Sequence, residues 1–367
     1  MLLVDGILLL RGWHPDLAHA ESLALWPDQE IERIEGLGRF LRVRNLPEQA
    51  AHRAFLAAGI EGVLCHGALS PVDVEAIHHI AESLPARQGS VAVRVWHHGI
   101  RTRGVSNIIG QRLGSHFVER GHPVDLDEPD HVVGVVIDGQ AGHVACGWFI
   151  GPGPKPGGID VRHATRRPFF RPISLDPRLA RSMVNLTGWS SRRVLDPMCG
   201  TGGLLLEGAL TGRHMIGRDL DPTMVQGSKQ NLEWLRAQHV SLSDCTIDQG
   251  DVNALGTLRV DSVVMDPPYG RNTRHPDAAS DQMVDWLESL RGCVPESGHL
   301  VMLLPIEPDD VPMDVHLPIG VVPRLIGEGS WLEVESKFQA TGWTIVDRFT
   351  VRVHGSLARL LIRAVAC

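Results

Sequence analysis

The 367-residue sequence predicts an α/β protein in two halves: an N-terminal half of α+β modules and a C-terminal half on a doubly wound, mostly parallel seven-stranded sheet. Three observations carry this reading. The run Gly151–Gly158 is dominated by glycine and proline, admits no regular element and divides the chain. After it, short β-type apolar runs alternate with helical patterns, the mark of a parallel sheet with crossover helices. The last two long runs, Trp343–Val353 and Leu357–Val365, meet at His354-Gly355, a connection short enough only for an antiparallel hairpin.

In the N-terminal half, Leu2–Leu10 reads as a strand and Pro15–Trp26 as a helix with Leu17, Leu23 and Leu25 among its apolar positions. Ile31–Val43 holds two short strands parted at Gly36-Leu37-Gly38. Pro47–Ala58, with proline in its first turn, reads as a helix, and Gly62–Cys65 as a closing strand. The order βαββαβ is the ferredoxin-like pattern and predicts a module at residues 1–70. Residues 71–150 predict a second module: helix Pro71–Leu84, strand Val91–Trp96, helix Ser106–Glu119, and strands His131–Ile137 and His143–Ile150 joined by Asp138-Gly139-Gln140. Residues 151–175 read as a linker and 176–367 as the C-terminal domain. There the expected order is helix Asp176–Leu186, strand Val194–Leu195, helix Gly203–Leu210, strand His214–Gly217, helix Thr223–Gln238 and strand Cys245–Asp248. Strand Ser262–Met265, helix Asp281–Leu290, strand Leu300–Leu304, helix Ser330–Ala340 and the hairpin complete it.

Composition narrows the class. No apolar run reaches the ~18–20 residues of a membrane span, and the first residues lack a basic segment and a cleavage site, so they read as a strand and not as an export signal. Six cysteines, Cys65, Cys146, Cys199, Cys245, Cys293 and Cys367, are scattered without a CxxC pair. That suits a reducing cytoplasm and offers no structural zinc framework. The 19 histidines are scattered too. The pairs His78-His79 and His97-His98 diverge on regular elements and read as surface residues, so no metal site is expected.

The net charge is −8, but it is unevenly spread. Ala86–Pro123 holds six arginines against Glu119 alone, and Gly151–Arg193 nine Lys/Arg against Asp160 and Asp176. A basic middle between acidic flanks is the distribution of a phosphate-binding surface, although a solvated face would look the same. The candidate RNA contacts are Arg94, Arg101, Arg103, Arg112, Arg166 and Arg167.

Four motifs carry chemistry. Asp196-Pro197-Met198-Cys199-Gly200-Thr201-Gly202-Gly203 lies where a strand turns into a helix, so its glycines let a ligand approach the backbone. Leu205 stands where a dinucleotide cradle needs a third glycine, which favours a ligand without phosphate; Asp196 suits a cationic amino group. One strand later, Asp219 is placed to hold two ribose hydroxyls with Leu220 beside it, and Asp221-Pro222 suits a helix N-cap. Asp251 and Val252, after the next strand, are candidates for an adenine amino group and ring. The fourth is Asp266-Pro267-Pro268-Tyr269-Gly270. Two prolines make a rigid turn with few donors, holding the Asp266 carboxylate and the Pro267 carbonyl as paired acceptors for an exocyclic amine. Tyr269, the single tyrosine, offers a stacking face.

These motifs resemble those of Rossmann-like class I methyltransferases acting on base amino groups. The stretch Arg167–Leu186 (RPFFRPISLDPRLARSMVNL) is similar to the segment before that fold in archaeal tRNA guanosine-10 N2-methyltransferases, and residues ~85–150 are similar to a THUMP RNA-binding domain. The resemblance spans nearly the whole chain. It implies S-adenosylmethionine as cofactor, held at Asp196, Gly200, Thr201, Gly202, Asp219, Leu220, Asp251 and Val252, and a target amine at Asp266, Pro267 and Tyr269. It also implies tRNA as partner, with THUMP on its 3′ end. The expectation is a cytoplasmic monomer, with room for a small activating protein partner and no membrane. Departures are Met198 for the usual Phe, Ile173 for Gly, and Arg218 before Asp219. Competing readings are another tRNA position, ribosomal RNA, adenine N6 in DNA, against which the RNA-binding N-terminal half argues, and a non-catalytic RNA-binding protein keeping the cofactor fold; the missing third glycine counts against a nucleotide-dependent oxidoreductase.

Overall fold

The structure is a computed structural model describing residues 2–99, 104–154, 158–172, 174–238, 241–268, 279–327, 329–354 and 357–367. It divides into two compact units, residues 1–157 and 158–367. Among the described residues, no helix is long and apolar enough to cross a membrane.

The first unit holds β1 (Leu3–Leu10), α1 (Pro15–Leu25), β2 (Glu30–Arg33), β3 (Phe40–Pro47), β4 (Ile60–Pro71), α2 (Val74–Ser83), β5 (Val91–His98), α3 (Val105–Glu119), β6 (His131–Asp138) and β7 (His143–Ile150). β1 lies between β3 and β4, antiparallel to both, with β2 outside β3. That is the strand order of the ferredoxin-like pattern. The segment expected as its second helix differs: Glu48–Leu56 is a 3-10 helix. Its buried residues, Ala51 and Ala54, are three apart, so a three-residue turn puts both on one face. Trp26 Nε1 donates to Ala50 O (2.8 Å) and Arg53 to Leu25 O (2.6 Å), pinning the segment to the end of α1.

The modules expected at 1–70 and 71–150 share one sheet. β4 is 12 residues long, far beyond the expected Gly62–Cys65; it pairs with β1 and, on both sides of an irregularity between Cys65 and Ala68, with β7. The resulting order is β2-β3-β1-β4-β7-β6-β5, with only β5 and β6 parallel. Leu64, at this junction, is fully buried with Ile7, Phe40, Val136 and Ala145, so residues from both modules share one core.

The second unit holds α4 (Pro177–Leu186), β8 (Arg193–Asp196), α5 (Gly203–Leu210), β9 (His214–Asp219), α6 (Pro222–Arg236), β10 (Cys245–Gln249), β11 (Ser262–Met265), α7 (Ala279–Arg291), β12 (His299–Ile306), α8 (Trp331–Ala340), β13 (Trp343–His354) and β14 (Leu357–Ala366). The sheet order is β10-β9-β8-β11-β12-β14-β13. Its first five strands are parallel, and β14 runs antiparallel to β12 and β13, as the sequence predicts. Each residue of β11 is buried, as expected for a strand covered on both faces. Asp176, Asp221 and Ser330 cap α4, α6 and α8 with side-chain oxygens, the last in a reciprocal box with Glu333.

Residues 158–172 belong to this unit and do not act as linker. Arg162 reaches the fully buried Glu207 on α5 (Nε to Oε1, 2.7 Å), which Arg181 of α4 also binds (Nε to Oε2, 2.9 Å). Burial alone would push the Glu207 carboxyl up; Arg181 and Arg162 together hold it below its ordinary value. Phe169 is held through both backbone groups by Asn231 of α6 (3.0 and 2.7 Å).

Candidate active site

The sheet reverses its direction of growth at β8, with β9 on one side and β11 on the other. In doubly wound folds a crevice opens there, outside the carboxyl ends of the strands. Four carboxylates mark that edge. Asp196 ends β8, Asp219 ends β9, Asp251 follows β10 and Asp266 follows β11. All four line a cavity of about 1150 Å³. A single small-ligand pocket takes roughly 300–1,000 Å³, so there is space for a cofactor and part of a second molecule.

The glycine loop is built by its backbone. Gly200 and Gly202 have φ of 50° and 80°, the left-handed region that glycine adopts without strain. The Gly200 N–H donates to Asp219 Oδ2 (2.8 Å), tying the loop to the end of β9. Asp219 Oδ1 accepts from Asp221 N (2.9 Å). Each oxygen keeps a second lone pair, so Asp219 serves the loop and can still take a ligand hydroxyl. Gly202 is absent from the cavity wall. A side chain there would sit 3.1 Å from Ser228 Oγ, so this glycine serves the packing of α5 against α6. Thr201 does line the cavity, with its Oγ1 3.1 Å from Ser174 Oγ and its carbonyl accepting from Asn231 (2.9 Å).

The electrostatics favour a cation. Asp196 is 1% exposed; burial, with Asp219 and Asp266 nearby, raises its carboxyl well above the usual range despite a hydrogen bond from Met198 N (3.3 Å). A bound ammonium would return it to the charged form. Burial likewise pushes Asp266 up to about 6, with Arg359 of β14 opposing the rise. Asp266 Oδ1 is shut off from solvent with no hydrogen-bond partner among the described residues. Pro267 is buried beside it and offers a carbonyl but no N–H. Leu220 (65% exposed) and the buried Val252 add apolar surface to the wall, and Asp251 spends one oxygen on Asn253 N (2.8 Å). Five carboxylates against Arg171 and Arg359 make a poor phosphate site and a good one for a sulfonium with an ammonium group. The donor set thus fits S-adenosylmethionine. Tyr269 lies outside the described residues.

A family model described as "RMKL-like, methyltransferase domain" matches residues 164–309. The chain is 33% identical over 98% of both lengths to the tRNA (guanine(10)-N2)-dimethyltransferase of Methanothermobacter thermautotrophicus. It belongs to the tRNA (guanine(10)-N2)-dimethyltransferase family. The Pyrococcus abyssi enzyme of the same name is 32% identical over 67% of this chain and 65% of its own. Among solved structures, TrmN from Thermus thermophilus is similar at 19% identity and TM-score 0.48 over 99% of this chain and 100% of that one.

In this family member the candidate RNA contacts do not form one free basic surface. Arg167 is 4% exposed: its Nε donates to Arg162 O (2.8 Å), and Nη1 lies 3.4 Å from where a side chain on Gly203 would begin. It is buried in this structure, and its stretch folds into the second unit. Arg112 is held in a two-pronged pair with Glu75 (2.6 and 2.5 Å), and Arg94 donates to the Leu126 carbonyl. Arg166 is exposed. Arg101 and Arg103 lie outside the described residues. Sequence reasoning missed Arg171, Ser174, Trp286 and Arg359 as cavity residues. Trp286 and Arg359 come from α7 and β14, far along the chain, and only the folded sheet brings them to the Asp266 edge.

Proposed function

We propose that the chain transfers methyl groups from S-adenosylmethionine to the exocyclic N2 of guanosine 10 in tRNA, twice in succession to give the dimethylated base. The observation that carries the reading is the Asp266 carboxylate, half-buried at the reversal point of the sheet, with one unpartnered oxygen and a rigid diproline turn behind it. Asp196 takes the amino group of the cofactor's methionine moiety, Asp219 the ribose, and Asp251 with Val252 the adenine. When bound, S-adenosylmethionine supplies an activated methyl on a sulfonium. Asp266 and the Pro267 carbonyl accept the two N–H groups of the guanine amine, turning its lone pair toward that methyl. The N–C bond forms as the S–C bond breaks, and Asp266 receives the proton the nitrogen sheds. Positioning supplies most of the rate, since the donor is already activated. The base must leave its stack, at a cost of a few kcal/mol, and Tyr269 gives it a face.

Residues ~85–150 act as a THUMP domain on the 3′ end of tRNA, with Arg166 and the segment bearing Arg101 and Arg103 contributing phosphate contacts. The protein works as a cytoplasmic monomer. The test is methyl transfer from labelled S-adenosylmethionine to unmodified total tRNA, followed by nucleoside analysis. Label is expected in N2-methylguanosine and then N2,N2-dimethylguanosine, with Asp266→Ala slower by about 10²-fold or more, the scale of losing a transition-state acceptor. A rise on adding cell extract would mark a small activating partner. Label in another nucleoside, or undiminished label with Asp266→Ala, would overturn the reading.

A further inference from the structure

We propose that His78, Glu82 and His116 form a site for a zinc-type divalent transition metal ion between α2 and α3 of the N-terminal unit. His78 and Glu82 are one turn apart on α2 and share a face; α3 brings His116 to the same place from 34 residues beyond Glu82. Each side chain offers one ligand atom, and the three atoms lie within 4.8 Å of one another. The two imidazoles meet edge to face with centroids 4.9 Å apart, and His78 Nε2 is 3.4 Å from Glu82 Oε1.

The polar accounting points to a ligand. His78 Nδ1 and His116 Nε2 are both closed to solvent and have no hydrogen-bond partner among the described residues. Buried polar atoms of this kind are costly unless something accepts their lone pairs or protons. A pair of histidines with one carboxylate is a donor set that zinc takes in open sites, with a water in the fourth position. Imidazole donors select zinc and its first-row neighbours over magnesium and calcium. With Zn–N near ~2.0–2.1 Å, tetrahedral ligand atoms sit roughly 3.3–3.4 Å apart, so a set spread over at most 4.8 Å has to draw in only slightly. His79 Nδ1 lies 3.0 Å from Glu82 Oε2, the outer contact that orients a ligating carboxylate. The nearby cations are engaged elsewhere: Arg112 on Glu75, and Arg120 on the Ala81 and Leu84 carbonyls (3.3 and 2.9 Å). A metal here would clamp the two helices together.

The test uses the full chain, stripped by chelator and titrated with Zn²⁺, with Co²⁺ as spectroscopic probe. One equivalent of Zn²⁺ should bind at neutral pH. Co²⁺ should give visible bands of a low-coordinate nitrogen and oxygen site without thiolate charge transfer, which separates this cluster from the cysteines. His78→Ala and His116→Ala should each weaken binding by at least about 100-fold, and His79→Ala by about 10-fold. Far-UV circular dichroism and the thermal unfolding of the chelated variants, measured in parallel, should match the chelated native chain and report that the variants fold. No saturable uptake at micromolar Zn²⁺, a thiolate band, or equal affinity in the histidine variants would each overturn the proposal.

Discussion

Asp266 has a carboxyl raised to about 6 by burial, and this sets a pH dependence that can be measured. Its role as acceptor requires the ionised form. Methyl transfer should therefore rise with pH through a limb near 6 and level off above it. Asp266→Asn should be slow and should lack that limb. A profile flat between pH about 5 and 8 in the native enzyme would contradict the assignment. Asp196 belongs to the same argument from the other side: buried and raised, it is ready to exchange its proton for the ammonium of a ligand. Both aspartates could be singled out from sequence because each follows an apolar strand and precedes prolines or glycines. The protonation behaviour could not, because it depends on burial and on Asp219 and Asp266 arriving from other strands.

At the scale of elements, residues 158–172 and Glu207 on α5 carry the less obvious design. Glu207 on α5 is fully buried and answers Arg162 from the preceding segment and Arg181 from α4. Glu207→Gln keeps the shape but leaves two buried arginines without their counter-charge, so it should cost about 3–5 kcal/mol in a denaturant titration of the full chain. Because the arginines hold the folded carboxyl below its ordinary value, the Glu207 contribution is present above the unfolded carboxylate range. It is lost as pH falls through the depressed folded value. In the variant that acid loss should be smaller; an equal loss would place the acid sensitivity elsewhere. Arg167 shows why this was not legible in sequence. A run of arginines reads as a basic surface, and only the folded structure shows that Arg162 and Arg167 turn inward while Arg166 and Arg171 stay exposed. The 3-10 segment Glu48–Leu56 is similar: alanines three apart suit either helix type, and the hydrogen bonds from Trp26 and Arg53 decide between them.

For the whole molecule, the parallel sheet with its terminal hairpin was the most legible part, because strand patterns, caps and the diproline turn agree with one another. The N-terminal unit reads from sequence as two modules because Gly62–Cys65 completes a βαββαβ order, whereas β4 runs on past an irregularity between Cys65 and Ala68. Pairing on both sides of β4 makes it one sheet. The His78–Glu82–His116 cluster escaped for a related reason, since its members join only when α2 and α3 pack. The central claim is that this chain methylates N2 of guanosine 10, and its most direct test is a pair of tRNA transcripts differing only in guanosine or adenosine at that position. With labelled S-adenosylmethionine in single turnover, label should appear on guanosine 10 and be lost from the adenosine transcript. Equal label on both would place the target elsewhere and contradict the account.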